Sequence, residues 1–382
     1  MENEVRMPAD IRVVVLDGTP RERGRIHGEA LRIMIVEGIK RWKNNLEKLM
    51  GMDADEHIEQ FIQGTNFLSA INKWTPDLLE EVKGIGEGAG IDLNTTLAWQ
   101  LLDEQWWHGL EKGVARMATG GQECSALGVY REGGGPPLLA QNMDLPDYYD
   151  GLQVLLHIKH PESDLQSFVF TIAGLIALNG MNNQAVGICC NTLMQLDHAP
   201  DGLPAAFVIR GVLGQMALAD AVKFVHEIKH ASGQNYLIGG PEGVVDFECS
   251  AHRVCQFVPC TGATRLCHTN HPIVNDDTGM HKDLLDRMPP AMLKLVDEAP
   301  PATQARFAFL ESQLMDPSRS ITVETIKSIL RSHEVPVCID NGEQGGGYLT
   351  FGCLIMALSN RPELHLAPGR PCSTEFKTFK FN

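Results

Sequence analysis

The chain has 382 residues, of which 43% are hydrophobic and 21% are charged. This composition is typical of a globular protein with a large core, and the length allows one large domain or two. The formal net charge is −16, and neither sign forms a long block. Nucleic acid and anionic membranes are therefore disfavoured as partners, because both reward clustered lysine and arginine.

The N-terminus is polar and acidic and lacks the apolar core of a signal peptide. The longest apolar run near it, Leu31 to Val36, is too short to span a bilayer. The chain has 10 cysteines but no Cys-x-x-Cys pair, so a zinc framework is poorly supported and reduced thiols are expected. We therefore expect a cytoplasmic protein without a metal.

The N-terminal third is predicted to be nearly all helix after an opening strand at 11–16. Thr19-Pro20 followed by Glu22 is typical of a helix start. The helix that follows has one apolar face, formed by Leu31, Ile35, Ile39, Trp42, Leu46 and Leu49. Further helices are predicted around 58–68, from Thr75-Pro76 to residue 89, and from Asp92 or Asn94 through Trp106-Trp107. For the two tryptophans we favour a core position over one above the functional site.

After residue 124 the pattern changes to strands. Strands are predicted at 125–130, 138–141, 154–158, 167–172, 185–191, 235–238, 244–249, 254–258, 264–269, 348–359 and 363–367, with a turn at 180–183. Helices are predicted at 219–228, 282–295, 302–314 and 322–333. After residue 124 the predicted elements run from strands to helices and back to strands. This order fits a layered α+β sandwich better than a doubly wound parallel fold.

Cys124 lies where the helical third meets the first hairpin. Gly120-Gly121 precedes it, and Asn142-Met143-Asp144 is expected just beyond the return strand. This arrangement predicts a nucleophile that is exposed when the chain is cut before it. The alternative is a buried structural thiol, since free cysteine is among the most buried residue types.

Several motifs occur in a single order along almost the whole chain. They are residues 17–24, residues 79–90, Cys124, Asn142-Met143-Asp144, residues 180–191, residues 232–236, Cys267-His268-Thr269-Asn270-His271, Arg306-Phe307, residues 330–333 and residues 368–372. In these motifs the chain resembles the acyl-coenzyme A:6-aminopenicillanate (isopenicillin N) acyltransferase family of N-terminal-nucleophile hydrolases. It departs from that pattern at Glu123, at Ser125 and at Ile339-Asp340, where the family more often has Gly, Thr and Arg-His.

The resemblance implies a four-layer αββα fold made by self-cleavage of an inactive precursor. A helical pro-segment, 1–123, would become one chain, and the catalytic segment, 124–382, would become the other. Cys124 falls at the family's nucleophile.

Cleavage before Cys124 would give one residue both a thiol and a free α-amino group. That amine titrates near 8 in model peptides and can serve as the general base. For the oxyanion, Asn270 is the first candidate donor and Asn191 the second. Asp144 is placed to hold the ammonium or the thiol. The alternatives are a turn-capping role for Asp144 and a bond from Asn270 to its own backbone.

Four other polar residues are weighed for the site. Asn142 is expected to support the turn and contribute to substrate binding. Arg306 and Glu248 are candidate substrate contacts, although a stabilising ion pair explains them equally well. His268 and His271 on one strand would face opposite sides, which disfavours a shared metal, and we expect a structural role for His271.

The leading hypothesis is a self-processing cysteine amidohydrolase that cleaves a linear C–N bond in an acylated amine or amino acid through an acyl-thioester enzyme. The first alternative is an N-acyltransferase that uses acyl-coenzyme A, and the second is an unprocessed, non-catalytic relative. We expect a small-molecule substrate and no cofactor, with coenzyme A thioesters entering only as substrates. Two fragments of one precursor are expected, and further oligomerisation is left open.

Overall fold

The structure is a computed structural model, and it describes residues 11–111, 124–130, 134–259, 264–289, 302–316, 318–340 and 347–381. Gly120-Gly121 and Glu123, which the sequence analysis singled out, lie outside these residues. Within the described part, no helix is both long enough and apolar enough to cross a membrane.

Fourteen strands of the described chain form two sheets. They are β1 (Arg12–Leu16), β2 (Ser125–Val129), β3 (Leu138–Pro146), β4 (Gln153–Lys159), β5 (Gln166–Ile172), β6 (Asn179–Asn182), β7 (Gly187–Thr192), β8 (Gln234–Gly240), β9 (Gly243–Cys249), β10 (Val254–Gln256), β11 (Arg265–His268), β12 (Tyr348–Ala357), β13 (Glu363–Ala367) and β14 (Lys377–Lys380). One sheet has the order β1-β4-β5-β6-β7-β8-β9-β10, and the other has the order β11-β2-β3-β12-β13-β14. All pairings are antiparallel except that of β1 with β4.

All described helices lie between β1 and β12 in the chain order. They are α1 (Pro20–Met50), α2 (Ala54–Gln63), α3 (Phe67–Trp74), α4 (Pro76–Ala89), α5 (Leu93–Trp99), α6 (Leu102–Glu111), α7 (Ala205–Leu213), α8 (Leu218–Glu227), α9 (Gly279–Arg287), α10 (Ala302–Leu314) and α11 (Val323–Leu330). Thr19 caps α1 in a capping box with Glu22, as its sequence predicts.

The two sheets pack face to face, and helices cover their outer faces. Leu310 of α10 and Ile326 of α11 pack with Leu127 and Ile355 of the six-stranded sheet. α7 and α8 contact the eight-stranded sheet at β6, β7 and β8. The predicted four-layer αββα sandwich of class α+β is therefore confirmed.

The N-terminal helices are joined to the sandwich rather than separate from it. Trp99 of α5 donates its indole N–H to the carbonyl of Ala173 at 3.1 Å, and Gln100 donates to the carbonyl of Gly174 at 2.8 Å. Strand β1 adds an edge to the eight-stranded sheet. Residues on both sides of position 124 thus share one core.

Three local predictions differ from the structure. Strand β3 runs on to Pro146, so Asn142 and Asp144 lie within the return strand and not beyond it. Residues 179–182 form β6, and the turn comes later, where Asn182 Oδ1 accepts from the backbone N–H groups of Gln184 and Val186. The predicted helix through Trp106-Trp107 is divided into α5 and α6 at Gln100-Leu101.

Other differences concern extent. The helix predicted at 322–333 ends at Leu330, and α9 covers only part of the range 282–295, whose last residues lie outside the described chain. The sequence analysis missed α7 and β14.

α1 and α4 cross so closely that glycine is required at the contact. A Cβ on Gly28 would lie 2.3 Å from the carbonyl oxygen of Ile85, and a Cβ on Gly24 would lie 1.9 Å from that of Glu81. Both distances are far shorter than a van der Waals contact. The atoms concerned belong to the backbone of α4, so they cannot move aside as a side chain could.

We expect Gly28→Ala to lower the free energy of unfolding by about 1–3 kcal/mol, because the added methyl forces the two helices apart. Urea denaturation measures this. Gly243→Ala is the control, since nothing lies within 4 Å of its added Cβ, and it should change stability by less than about 0.5 kcal/mol. Equal losses in the two variants would contradict the close-packing argument.

Candidate active site

Cys124 stands directly before β2, beside a cavity between β3, β7, α6 and α7. Only 4% of the residue is exposed. Its carbonyl oxygen accepts from Arg306 Nη1 at 2.7 Å, and its sulfur accepts from the backbone N–H of Asp144. The β2–β3 pairing, with Ser125 opposite Asn142, brings Asp144 to this position. The residue is therefore buried, but it lies at a cavity and not deep in hydrocarbon.

The Cys124 thiol is protonated while residue 124 remains in peptide linkage. Burial raises the pKa of this thiol to about 12, and the negative charge of Asp144 adds to the rise. Arg306 and the Asp144 N–H act in the opposite direction but do not reverse it. A neutral thiol is a poor nucleophile, so activation requires a change near the sulfur.

The cavity beside Cys124 is small and mostly apolar. It leaves about 40 Å³ of space, enough for a few water molecules and far less than the roughly 300–1,000 Å³ of pockets that bind drug-sized ligands. Its described lining is Gln100, Leu102, Asp103, Glu104, Trp106, Cys124, Met143, Leu145, Pro146, Tyr149, Leu175, Ala177, Leu178, Cys190, Thr192, Ala205, Ala206 and Ile209. A wall of this cavity is thus formed by α6, which belongs to the 1–123 segment.

Asp144 is fully buried and is held by the strand beside it. Thr350 Oγ1 donates to Asp144 Oδ1 and accepts the backbone N–H of Ile339 at 2.8 Å. The carboxylate is therefore fixed next to Cys124 by hydrogen bonds from outside its own strand. Its expected role in holding the thiol or the new ammonium remains a prediction.

Arg306 joins Cys124 to Asn270. The guanidinium is fully buried, and besides the Cys124 carbonyl it donates to Ser125 Oγ at 3.1 Å and to Asn270 Oδ1 at 3.2 Å. Asn270 Nδ2 donates to the carbonyl of Thr192 at 3.1 Å. An amide nitrogen carries two donors, and among the described residues the second N–H of Asn270 meets no acceptor, so it can serve an oxyanion. Arg306 is in this arrangement a positioning residue.

Asn191, the second oxyanion candidate, is also buried near this group. Its Nδ2 donates to the carbonyl of His268 at 3.4 Å. Its neighbours on β7, Cys190 and Thr192, line the cavity. Because strand side chains alternate, the side chain of Asn191 lies on the opposite face from theirs. Its assignment as a donor remains a prediction.

Of the predicted site residues, Cys124 is in the described lining of the cavity, and Asp144, Asn191, Asn270 and Arg306 lie outside that lining. Asn142 and Glu248 also lie outside it and bind backbone groups instead. Asn142 Nδ2 uses both of its hydrogens on the backbone carbonyls of Leu330 and Val337, each at 2.8 Å. Glu248 accepts three backbone N–H groups, from residues 273, 274 and 275, and His268 Nε2 at 2.9 Å. Both side chains are fully buried and hold neighbouring loops in place.

The remaining residues that were weighed also have defined positions. Trp107 is buried and stacks on His198, as a core position requires, whereas Trp106 lines the cavity. His271 Nδ1 lies 3.1 Å from Thr303 Oγ1 and 3.3 Å from Thr269 Oγ1, so it is engaged in local structure as expected.

The sequence analysis missed two acidic residues of the cavity wall, Asp103 and Glu104. Glu104 is buried; its Oε1 accepts from the Ala205 backbone N–H at 3.0 Å and from Ser232 Oγ at 2.7 Å. Within the described chain its Oε2 is buried without a hydrogen-bond partner. Burial, with the charge of Asp103 adding to it, raises the pKa of Glu104 to about 7. In the sequence, the indication of this wall was the pair of adjacent acidic residues, Asp103 and Glu104, next to an apolar stretch.

The family of the chain follows from its sequence. The model of the acyl-coenzyme A:6-aminopenicillanic acid acyl-transferase family matches residues 130–335, more than half of the chain. The chain belongs to this family. It is therefore an enzyme. The match begins after Cys124, so it does not itself test that residue.

Solved structures give more distant likenesses. A variant of conjugated bile acid hydrolase from Clostridium perfringens is 12% identical, with 68% of this chain and 97% of that chain covered and a TM-score of 0.42. The N-acylethanolamine-hydrolyzing acid amidase ortholog of Caenorhabditis elegans is 14% identical, with 68% and 100% covered and a TM-score of 0.42. Penicillin V acylase from Agrobacterium tumefaciens is 12% identical, with 68% and 86% covered and a TM-score of 0.38. The curated proteins contain no match to this chain.

Glu104 should make stability depend on pH in a way that Glu104→Gln removes. Because the folded-state pKa is raised from 4.5 to about 7, the folded protein keeps a proton that the unfolded chain releases over this range. The free energy of unfolding therefore falls as pH rises through it, by on the order of 3 kcal/mol from this group.

Urea denaturation of Cys124→Ala and of Cys124→Ala with Glu104→Gln, near pH 5 and near pH 8, measures the effect. The Gln variant should gain stability relative to its parent at the higher pH. The exposed Glu59 provides the control Glu59→Gln, which should behave like the parent. A pH-independent difference between parent and Glu104→Gln would show that the Glu104 carboxyl is not protonated in the folded protein at neutral pH.

Proposed function

We propose that this protein is a self-processing cysteine amidohydrolase that cleaves a linear amide bond of an acylated amine or amino acid through an acyl-thioester at Cys124. The observation that carries the proposal is the position of Cys124. It begins a buried strand at a cavity, with its carbonyl on Arg306 and its sulfur on the Asp144 N–H. A chain cut before this residue would present thiol and amine to the same cavity.

The first step is cleavage of the precursor. The Cys124 thiol adds to the carbonyl carbon of residue 123, the C–N bond to Cys124 breaks, and the nitrogen takes up the proton. Water then hydrolyses the resulting thioester. The products are a carboxylate at residue 123 and a Cys124 with both a free thiol and a free α-amino group.

Cleavage also changes the electrostatics of the sulfur. The new α-amino group titrates near 8 and accepts the thiol proton as general base. The ammonium that forms lies beside the sulfur, and an adjacent positive charge favours the thiolate. This offsets the burial that raises the thiol pKa in the intact chain. Asp144, fixed by Thr350, would hold the ammonium in place.

In turnover the thiolate attacks the acyl carbonyl of the substrate. The oxyanion accepts a hydrogen bond from the Asn270 amide, whose oxygen is held by Arg306. The leaving amine takes the proton from the α-ammonium, and water hydrolyses the thioester. No step requires a cofactor. The apolar lining, with Met143, Leu175 and Ile209, favours an apolar acyl group in a small-molecule substrate.

We expect the purified protein to separate under denaturing conditions into pieces of 123 and 259 residues, since 382 − 123 = 259. Cys124→Ala should remain intact and should lose activity by at least about 10³-fold, because the nucleophile is absent. Intact mass spectrometry and an amide-hydrolysis assay measure the two effects.

Cys255→Ala is the matched control, since Cys255 is a partly exposed thiol on β10, away from the cavity. It should cleave and turn over normally. A full-length wild-type protein that hydrolyses amides would overturn the N-terminal mechanism. A full-length protein without activity would instead support the unprocessed, non-catalytic alternative.

The second candidate is acyl transfer from acyl-coenzyme A to an amine, and the family match favours it. The cavity favours hydrolysis. Its described lining includes Asp103 and Glu104 and has neither lysine nor arginine, whereas coenzyme A carries phosphates that cationic side chains bind.

Competition between water and an added amine separates the two activities. With an acyl amide as donor, we expect the free carboxylic acid as the main product with and without added amine, because water hydrolyses the acyl-enzyme. Product analysis by mass spectrometry measures the partition. Product that forms only when amine is present would establish the transferase.

A further inference from the structure

A second group of chemically active side chains lies on the far side of β3 and β12 from the cavity. The ligand atoms of His333, Cys338 and Cys372 lie within 4.8 Å of one another. His333 and Cys338 follow α11, and Cys372 follows β13. Cys338 is buried, while His333 and Cys372 are exposed. Neither thiol forms a disulfide.

Ligand atoms within 4.8 Å of one another are close enough to converge on one tetrahedral metal ion. Zinc binds sulfur at about 2.3 Å and imidazole nitrogen at about 2.0–2.1 Å, which places adjacent ligand atoms roughly 3.5–3.8 Å apart. In addition, the backbone N–H of Cys372 donates to the Cys338 sulfur. Donors of this kind orient a thiolate ligand and stabilise its charge. Two sulfurs and one imidazole are the donor set that a borderline-soft cation such as Zn²⁺ prefers.

We propose that His333, Cys338 and Cys372 bind one divalent zinc-like cation, with the fourth position taken by water. On binding, the two cysteine thiols release two protons to solvent, and His333 binds through a neutral ring nitrogen. No oxidant or reductant is required. The proposal revises the expectation of a metal-free protein that the cysteine spacing gave, because the two sulfurs are far apart in sequence and meet only in the fold.

The cation would brace the loop that supports the catalytic strand. This loop, residues 331–340, directly follows the Leu330 carbonyl and includes the Val337 carbonyl, the two acceptors of Asn142 on β3. Ile339 in the same loop donates to Thr350, which in turn donates to Asp144. A metal that fixes this loop therefore steadies the neighbours of Cys124 without touching substrate.

Existing bonds already hold the same two segments together. Arg331 Nε donates to the carbonyl of Pro371 at 2.8 Å, and Arg370 pairs with Asp340 at 3.0 Å. These bonds hold the segments that carry the three ligands together before a metal binds. This lowers the entropy cost of assembling the centre. The alternative to metal binding is a disulfide bond between Cys338 and Cys372.

The test is the metal content of full-length protein purified with a thiol reductant and without chelators. We expect about one equivalent of zinc by mass spectrometry of the metals, and after exchange into Co²⁺ we expect the thiolate-to-cobalt absorption of a sulfur-ligated site. Cys372→Ser is the first variant, because an exposed side chain is replaced and the fold is not threatened. It should lose the zinc and most of the cobalt absorption. His333→Ala should weaken metal retention to a smaller degree.

Cys255→Ser is the matched control and should keep both signals. The proposal is overturned if the reduced wild-type protein holds no metal and gives no thiolate–cobalt absorption, if Cys372→Ser retains the full absorption, or if peptide mapping finds a 338–372 disulfide in the reduced preparation. None of these readouts depends on activity at Cys124, so they test the metal site independently of the proposed amidohydrolase activity.

Discussion

A single buried guanidinium organises the catalytic end of this molecule. Arg306 has no exposed surface and donates to the Cys124 carbonyl, to Ser125 Oγ and to Asn270 Oδ1. A charge this deeply buried is tolerated only when hydrogen bonds replace its lost hydration. The same bonds determine which way the Asn270 amide faces, since its oxygen must meet the guanidinium and its N–H groups must point away. The start of β2 is thereby tied to α10, 182 residues further along the chain.

The cavity at Cys124 is built by both segments of the chain. The catalytic segment supplies the thiol, the Asp144 N–H and the apolar strand residues, while α6 supplies Asp103 and Glu104. Asp103 and Asp144 place negative charge near the sulfur, and burial removes the solvent that would screen it. The burial and this charge together account for the raised pKa of the Cys124 thiol. Through Asp103, the 1–123 segment therefore makes an electrostatic contribution to the site, beyond its packing against the sheet.

Much of the architecture could be predicted from local patterns. The capping box at Thr19-Pro20 and the apolar face that includes Ile35 and Trp42 gave α1, and alternation gave most of the strands. α7 was missed because eight of its nine residues are buried, so it lacks the polar face on which helical periodicity depends. Its residues Ala205 and Ile209 line the cavity. The motif order singled out Cys124 and Asp144, which are neighbours in the structure, and their catalytic roles remain predictions.

What sequence could not provide were the contacts between distant segments. Glu104 meets Ala205 and Ser232 only through the tertiary fold, and Asn142 reaches the carbonyls of Leu330 and Val337 across 188 and 195 residues. The polarity of these side chains gave no indication of their partners. For Asn142 and Glu248 a polar residue in a matching motif was equally compatible with substrate and with backbone, and the structure shows backbone partners.

The pairing of β1 with β4 has a consequence for the life of the molecule after cleavage. Arg12 lies opposite Val154 and Leu16 lies opposite Ile158, so two polypeptides would share one continuous sheet once the chain is cut. Folding of an uncut chain is first-order, whereas re-formation of a cut protein after denaturation would be second-order and dependent on dilution. The stability of the cut protein would then be kinetic. It would depend on slow unfolding and not on ready refolding.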